Sequence, residues 1–312
     1  MDRINIEGCV DVGLPAGFKE MLDGYLKEAQ LVLIDNVAQY WNQQFLDNAD
    51  KQEVNASDFP NVTPPFPFTF LEFRPSASSR AHAVYEEVGV LVFSTFSSLG
   101  DNNERPVKEY VRKQFQPLQL AEEAEFATLS YILLRTRHVP GVIYGGECLL
   151  PINKEGRIIP IADGKGVPGV VGINPNLVGD GVNAQGAWTY LAKHVFYPTL
   201  LALSFMHCRN VQVVQETPPP KLSKKHERKT GRPLLRYRVL QIDHMKEVLE
   251  KEGGASKTGL KRALHICRGH FAHYGEAGKG LLFGKYAGTV WVPMHTRGTK
   301  EKGVVIKDYD VK

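Results

Sequence analysis

Three consecutive prolines, Pro218-Pro219-Pro220, constrain this chain more than any other single feature. Proline lacks a backbone N–H and fixes φ, so neither a helix interior nor a central strand can run through all three. The triplet predicts a stiff connector and a domain boundary, with a mixed body at 1–217 and a second domain at 218–312. Charge divides at the same place. Residues 221–312 hold 21 Lys and Arg against 9 Asp and Glu, a net of +12 in a chain whose total is +4, which leaves −8 for the remainder. An acidic body joined to a basic end implies that the end meets a polyanion or packs against the body, with solvated surface charge as the plain alternative. Nucleic acid is the commonest polyanion in cytoplasm.

The body reads as an ordinary globular chain, since 312 residues with 43% hydrophobic and 23% charged content can bury a sizeable core. Apolar residues from Phe18 through Leu22, Leu26, Leu33 and Val37 to Trp41 recur at three- and four-residue steps, predicting an amphipathic helix, kinked or split. Thr63 to Phe73, rich in Pro and Phe, reads as an extended loop that enters a strand, and Glu87 to Phe96 reads as a buried strand. Leu118 to Arg135 has helical spacing, and 140–186 reads as short strands and long loops. Trp188 to Phe196 predicts a helix that Pro198 kinks or ends, followed by a buried apolar stretch to Met206. Beyond the triproline, Leu234 to Ile242, Ala263 to Tyr274, Thr289 to His295 and Val304 to Tyr309 are strand candidates, with a short helix at Asp243 to Lys251. The fold class expected is α+β: a helical and mixed N-terminal body with a small, basic, strand-rich C-terminal domain.

No run approaches the roughly 20 apolar residues of a membrane span, so no membrane role is expected. The first residues lack the basic and apolar regions of a secretory signal, which points to the cytoplasm. Cysteines at 9, 148, 208 and 267 are scattered, which suits free thiols better than disulfides or a paired-cysteine zinc site. Asn55-Ala56-Ser57 and Asn61-Val62-Thr63 are then chance glycosylation patterns. Asp163 to Gly169 has dinucleotide-loop spacing, but Pro168 stands where the helix should begin, and Gly253 to Thr258 lacks the glycine before Lys257 that a phosphate loop needs. No cofactor is expected.

The densest chemistry lies in the basic region. Lys221, Lys224, Lys225, Arg228, Lys229, Arg232, Arg236 and Arg238 crowd one stretch whose Gly231 and Pro233 favour an exposed arm over a helix face, with phosphate contact as its use. Leu235, Tyr237 and Val239 alternate with Arg236 and Arg238, giving a strand with an apolar and a basic face, or an edge strand guarded by charge. In an unbroken strand from Ala263 to Tyr274, Arg268, His270 and Tyr274 share one face, an assembly able to supply acid, base and phosphate clamp. His265, Cys267 and His273 share the other and are a weaker zinc alternative; a third reading makes Gly269 a bulge and the histidines structural. His295 and Arg297 end a second strand, so two His/Arg strand ends are candidates for one anionic site, lined by Lys285, Tyr286, Lys307 and Tyr309. Interleaved aromatic and basic residues equally suit base stacking without chemistry.

Arg268-Gly269-His270-Phe271, Phe283-Gly284-Lys285-Tyr286 with Trp291, His295-Thr296-Arg297-Gly298 and Lys307-Asp308-Tyr309 together resemble the ending of a group of uncharacterised proteins encoded by bacteriophages and prophages. Pro64-Pro65-Phe66-Pro67, Leu201 to Asn210 and Gly231 to Tyr237 are similar to earlier blocks of the same group. The resemblance implies a phage origin, hence the cytoplasm of an infected bacterial host, and supplies no mechanism. The leading expectation is a nucleic-acid-binding protein, RNA-preferring, acting through its basic end. The alternatives are a metal-independent endoribonuclease using His270 or His295 with Arg268 or Arg297, and a factor that contacts a host protein through the acidic body.

Overall fold

A computed structural model describes residues 17–42, 54–74, 85–94, 126–136, 142–159, 170–173, 191–231, 234, 236–242, 263–267, 269–275, 280–292, 295–297 and 299–304. The chain forms two compact units, one of Met1–Ser204 with Val213–Leu240, the other of Phe205–Gln212 with Gln241–Lys312. Helices stand beside a mixed sheet, an α+β arrangement.

The first unit is organised by β1 (Gln30–Leu33), β2 (Thr69–Phe73), β3 (Tyr85–Ser94), β4 (Phe126–Thr136), β5 (Val142–Ile152), β6 (Val170–Ile173), β7 (Val211–Glu216) and β8 (Tyr237–Ile242). They lie in one eight-stranded sheet in the order β6-β5-β4-β3-β2-β1-β8-β7. From β2 to β6 every neighbouring pair is antiparallel. At β1 the direction changes, for β1 runs parallel to both β2 and β8. Three parallel strands thus sit side by side, and parallel strands are those that sheets bury on both faces.

That burial explains why the long helix expected over Phe18 to Trp41 is instead α1 (Phe18–Glu28), β1 and α2 (Asp35–Trp41). Leu31, Val32, Leu33 and Ile34 are consecutive and all buried. A strand covered on both sides hides a contiguous run of this kind, and the parallel neighbours of β1 are what make it one. In α1, Leu22 and Leu26 point into a core with Leu31, Leu33, Phe70, Leu91, Tyr131 and Leu133. Phe18 meets Tyr131 edge-on at 5.3 Å and Tyr25 stacks on Phe68 at 4.6 Å, a geometry that adds to simple burial.

β4 corrects the helix expected over Leu118 to Arg135, of which 118–125 lie outside the described residues. Tyr131, Ile132, Leu133 and Leu134 are all buried, and a contiguous apolar run carries no period to separate helix from strand. The strand expected at Glu87 to Phe96 is present as β3 as far as Ser94, with Thr95 and Phe96 outside the described residues. On the other side of β4, β5 is a single eleven-residue strand, longer than the short pieces expected there. Its register against β4 slips between Ile132 and Leu133, where Gly145 is the extra residue. A Cβ on Gly145 would stand 2.9 Å from both Ile132 Cγ2 and Leu134 Cδ1, so the bulge needs glycine.

Pro198 neither ends nor breaks its helix. Ala192–Phe196 is wound as a π-helix that passes directly into α3 (Tyr197–Met206). In this register Tyr197 N–H reaches back to the Ala192 carbonyl, so the next donor would serve Lys193, and that residue is Pro198. The Trp41 indole Nε1–H donates to the Lys193 carbonyl instead, at 2.8 Å. Leu200, Leu201, Ala202 and Leu203 are all buried, which suits a helix packed on every side.

In the second unit β10 (His270–Tyr274) pairs antiparallel with β11 (Gly288–Val292). A separate three-stranded sheet places β9 (Ala263–Cys267) between β12 (His295–Arg297) and β13 (Thr299–Val304). The strands expected at Ala263 to Tyr274 and at Thr289 to His295 are therefore each divided between two sheets. Phe205, Phe271 and Trp291 form the aromatic centre, with Trp291 edge-on to both others at 4.8 Å. Asn210 is buried and clamps Trp291 from the side: its Nδ2 donates to the Trp291 carbonyl at 2.8 Å, and its Oδ1 accepts the Trp291 N–H at 2.9 Å. The side chain thereby completes β11 as a strand neighbour would.

Candidate nucleic-acid interface

The arm expected over Lys221 to Arg238 is a helix in its first half, α4 (Pro220–Thr230). The third proline explains the difference, because at the first helical position a missing N–H costs nothing and the fixed φ suits the helix. Gly231 closes the other end in the left-handed conformation, at φ 76, its N–H donating to the Glu227 carbonyl at 2.7 Å. The triproline is thus a helix start, and α4 with β8 as far as Leu240 groups with the first unit.

At 100° per residue, Lys221, Lys224, Lys225, Arg228 and Lys229 fall within an arc of roughly 140°. All five are exposed. Ser223 and His226, on the opposite side, are half-buried, and Ser223 Oγ accepts the Leu234 N–H at 3.1 Å. Among the described residues no carboxylate pairs with any of the five cations. Like charges three and four positions apart repel by about 0.2–0.5 kcal/mol a pair, so the face is built at a cost that a polyanion would relieve.

β8 continues the basic surface only in part. Tyr237 and Val239 pack on the core while Arg236 is exposed, as the alternation predicts. Arg238 is engaged within the fold: its guanidinium lies 5.0 Å from the centre of the Phe66 ring and donates to Gln30 Oε1 and Gln215 Oε1. β8 also lies between β1 and β7, which excludes the guarded-edge alternative. Arg232 lies outside the described residues.

The described residues of the expected catalytic constellation lie on strands of two sheets. His270 is exposed and Tyr274 half-buried on the same face of β10, but Arg268 lies outside the described residues. His295 and Arg297 belong to β12, whose backbone register sets them opposite Cys267 and His265 of β9, in the other sheet. His270 instead lies opposite Val292, and Ala263 to Tyr274 is two strands, β9 and β10, rather than one unbroken strand. His273 points to the other face of β10, where its Nδ1 meets Thr289 Oγ1 at 3.2 Å. Lys285 is exposed with its Nζ 5.0 Å from the centre of the Tyr286 ring. No group of three metal-ligating side chains occurs among the described residues. Lys307, Tyr309, the helix expected at Asp243 to Lys251 and the two glycine loops at 163–169 and 253–258 lie outside them. Cys208 is buried, and burial pushes its thiol up to about 12, so it is an inert packing residue.

Sequence reasoning passed over a buried carboxylate. Glu72 is 7% exposed near the end of β2, opposite Gly89 of β3, and its Oε2 has no hydrogen-bond partner among the described residues. Beyond it, Glu87 takes Arg74 at 3.1 Å and Arg135 at 2.7 Å, and Asp35 Oδ1 accepts the Arg74 N–H at 3.0 Å. Burial first and then the Glu87 charge raise the Glu72 carboxyl to about 7, with Arg135 acting in the opposite direction. The signal was present: a single Glu inside the apolar run Thr69-Phe70-Leu71-Glu72-Phe73 has no reason to be there unless its surroundings accommodate it.

No helix among the described residues is long and apolar enough to cross a membrane. Comparison with protein-family models, with curated proteins and with solved structures yields no match to this chain.

Proposed function

We propose that this is a phage-encoded protein of the host cytoplasm that binds nucleic acid, RNA in preference to DNA, through the basic region that begins at α4. The observation that carries the reading is the exposed arc of Lys221, Lys224, Lys225, Arg228 and Lys229, unpaired with any carboxylate among the described residues. A helix offering cations on one side and polar anchors on the other meets a phosphate backbone without needing a particular base sequence. Arg236 extends the same chemistry, whereas Arg238, tied to Phe66 and two glutamines, holds the sheet together. No observation favours the ribonuclease or host-protein readings over this one.

The test is fluorescence anisotropy of the full chain with labelled RNA and DNA oligomers across a salt series. Five phosphate contacts imply a log-log salt slope of about −3.5 on single strands. Replacing the five α4 cations with Gln should flatten that slope and abolish binding at moderate salt, with circular dichroism unchanged. Absence of binding by the wild type at low salt would remove the reading.

A further inference from the structure

The second unit carries an exposed aromatic that its backbone works to display. Leu282 to Lys285 is a tight turn: Lys285 N–H donates to the Leu282 carbonyl at 3.1 Å, and Leu282 N–H to the Tyr286 carbonyl at 2.8 Å. Both central residues have positive φ, 54° at Phe283 and 72° at Gly284. Gly284 adopts this freely, but Phe283 is the one non-glycine with positive φ among the described residues. For an L residue that conformation costs roughly 1–2 kcal/mol, and Gly or Asn would avoid it. The ring gains no compensating burial, since Phe283 is 52% exposed and its neighbour Leu281 51%. Cations stand at Tyr286, which closes the turn. Lys285 is exposed next along the turn, and the exposed Arg209 lays its guanidinium 4.7 Å from the centre of the Tyr286 ring while its Nη1 donates to the Ala287 carbonyl at 3.3 Å.

We propose that the Leu281 to Lys285 turn is a stacking platform for unpaired bases of single-stranded nucleic acid, Phe283 taking a base and Lys285 and Arg209 the adjoining phosphates. This rests on the polynucleotide reading and adds a second contact with its own selectivity. Strain at an exposed residue persists where the displayed group is used, and an exposed ring followed two residues on by a lysine, with a second cation on the Tyr286 ring that closes the turn, matches a base and its adjoining phosphates. A duplex keeps its bases stacked on one another and offers no face to the ring, so the platform selects single strands. Two half-exposed apolar side chains are too little to hold a lipid surface, where even one acyl chain binds marginally.

The experiment measures binding of the full chain to a labelled single-stranded oligouridylate and to a duplex of equal length, for wild type, Phe283→Gly and Phe283→Trp. Glycine keeps the turn and removes the ring. Phe283→Gly should weaken single-strand binding about 5- to 150-fold, the span of one base-aromatic stack, with duplex affinity unchanged and Tm equal or higher. Phe283→Trp should restore single-strand binding. Equal single-strand affinity of wild type and Phe283→Gly overturns the platform while leaving the polynucleotide reading intact; wild type that binds neither oligomer overturns both. Anionic phosphatidylglycerol vesicles form a separate arm. Cosedimentation that depends on Phe283, with oligomer binding indifferent to it, would assign the turn to membranes and overturn the proposal.

Discussion

Glu72 makes the stability of the first unit depend on pH in a direction opposite to that of most carboxylates. Its carboxyl is raised from the ordinary 4.5 to about 7 because burial penalises the anion and because Glu87 and Asp35 add negative charge, more than the facing Arg135 offsets. Between the ordinary value and 7 the folded state holds a proton that the unfolded chain has released, so stability falls as pH rises through this window. Below it both states are protonated and no penalty applies; above it both are ionised and the penalty is complete. A displacement of this size corresponds to about 3 kcal/mol, at 1.36 kcal/mol per pKa unit. Glu72→Gln keeps the shape and the neutral form. It should match wild type within about 0.5 kcal/mol at pH 4.5 and exceed it by about 2–3 kcal/mol at pH 8. Urea melts of both proteins at pH 4.5, 6, 7 and 8 measure the difference, with Glu87 and Arg135 left in place. A variant equally stable or less stable at pH 8 would show that Glu72 is ionised and satisfied in the folded state, and the argument from burial would fail.

Trp41→Phe should cost about 2–4 kcal/mol, combining a core cavity with a Lys193 carbonyl left without its donor. Pro198→Ala, which restores a backbone N–H, should recover part of that loss in the double variant, so strict additivity in denaturant melts would refute the π-register argument. Asn210→Ala should cost about 2–4 kcal/mol by exposing both polar groups of Trp291, read as lost hydrogen-exchange protection at the Trp291 amide; unchanged protection would show that β11 does not need the clamp.

Much of the sheet could be read along the chain. Phe70, Leu71 and Phe73, Val88 to Phe93, and Tyr237 with Val239 carry the apolar content that strands bury, and they lie in strands. Failures came where local pattern is degenerate. Leu31 to Ile34 and Tyr131 to Leu134 are contiguous apolar runs, compatible with a helix until neighbours on both faces are known. Pro198 and Pro220 were read by their average effect, yet one is accommodated by a π turn capped from Trp41 and the other by its place at a helix start. The single strand expected over Ala263 to Tyr274 is two strands that join different sheets, a partner choice that no residue between 263 and 274 encodes alone.

The sequence by itself determined the charge asymmetry, the mixed α+β class and the identity of the cations along 221–238, because charge and apolar content are properties of the residues themselves. Only the tertiary structure decided which of those cations are free. A helix starting at Pro220 turns Lys221, Lys224, Lys225, Arg228 and Lys229 to one side, while β8, lying against β1, draws Arg238 onto Phe66 and Gln30. It likewise decided that Glu72 holds its proton, since its burial and the charges of Glu87 and Asp35 come from neighbours brought together across the chain.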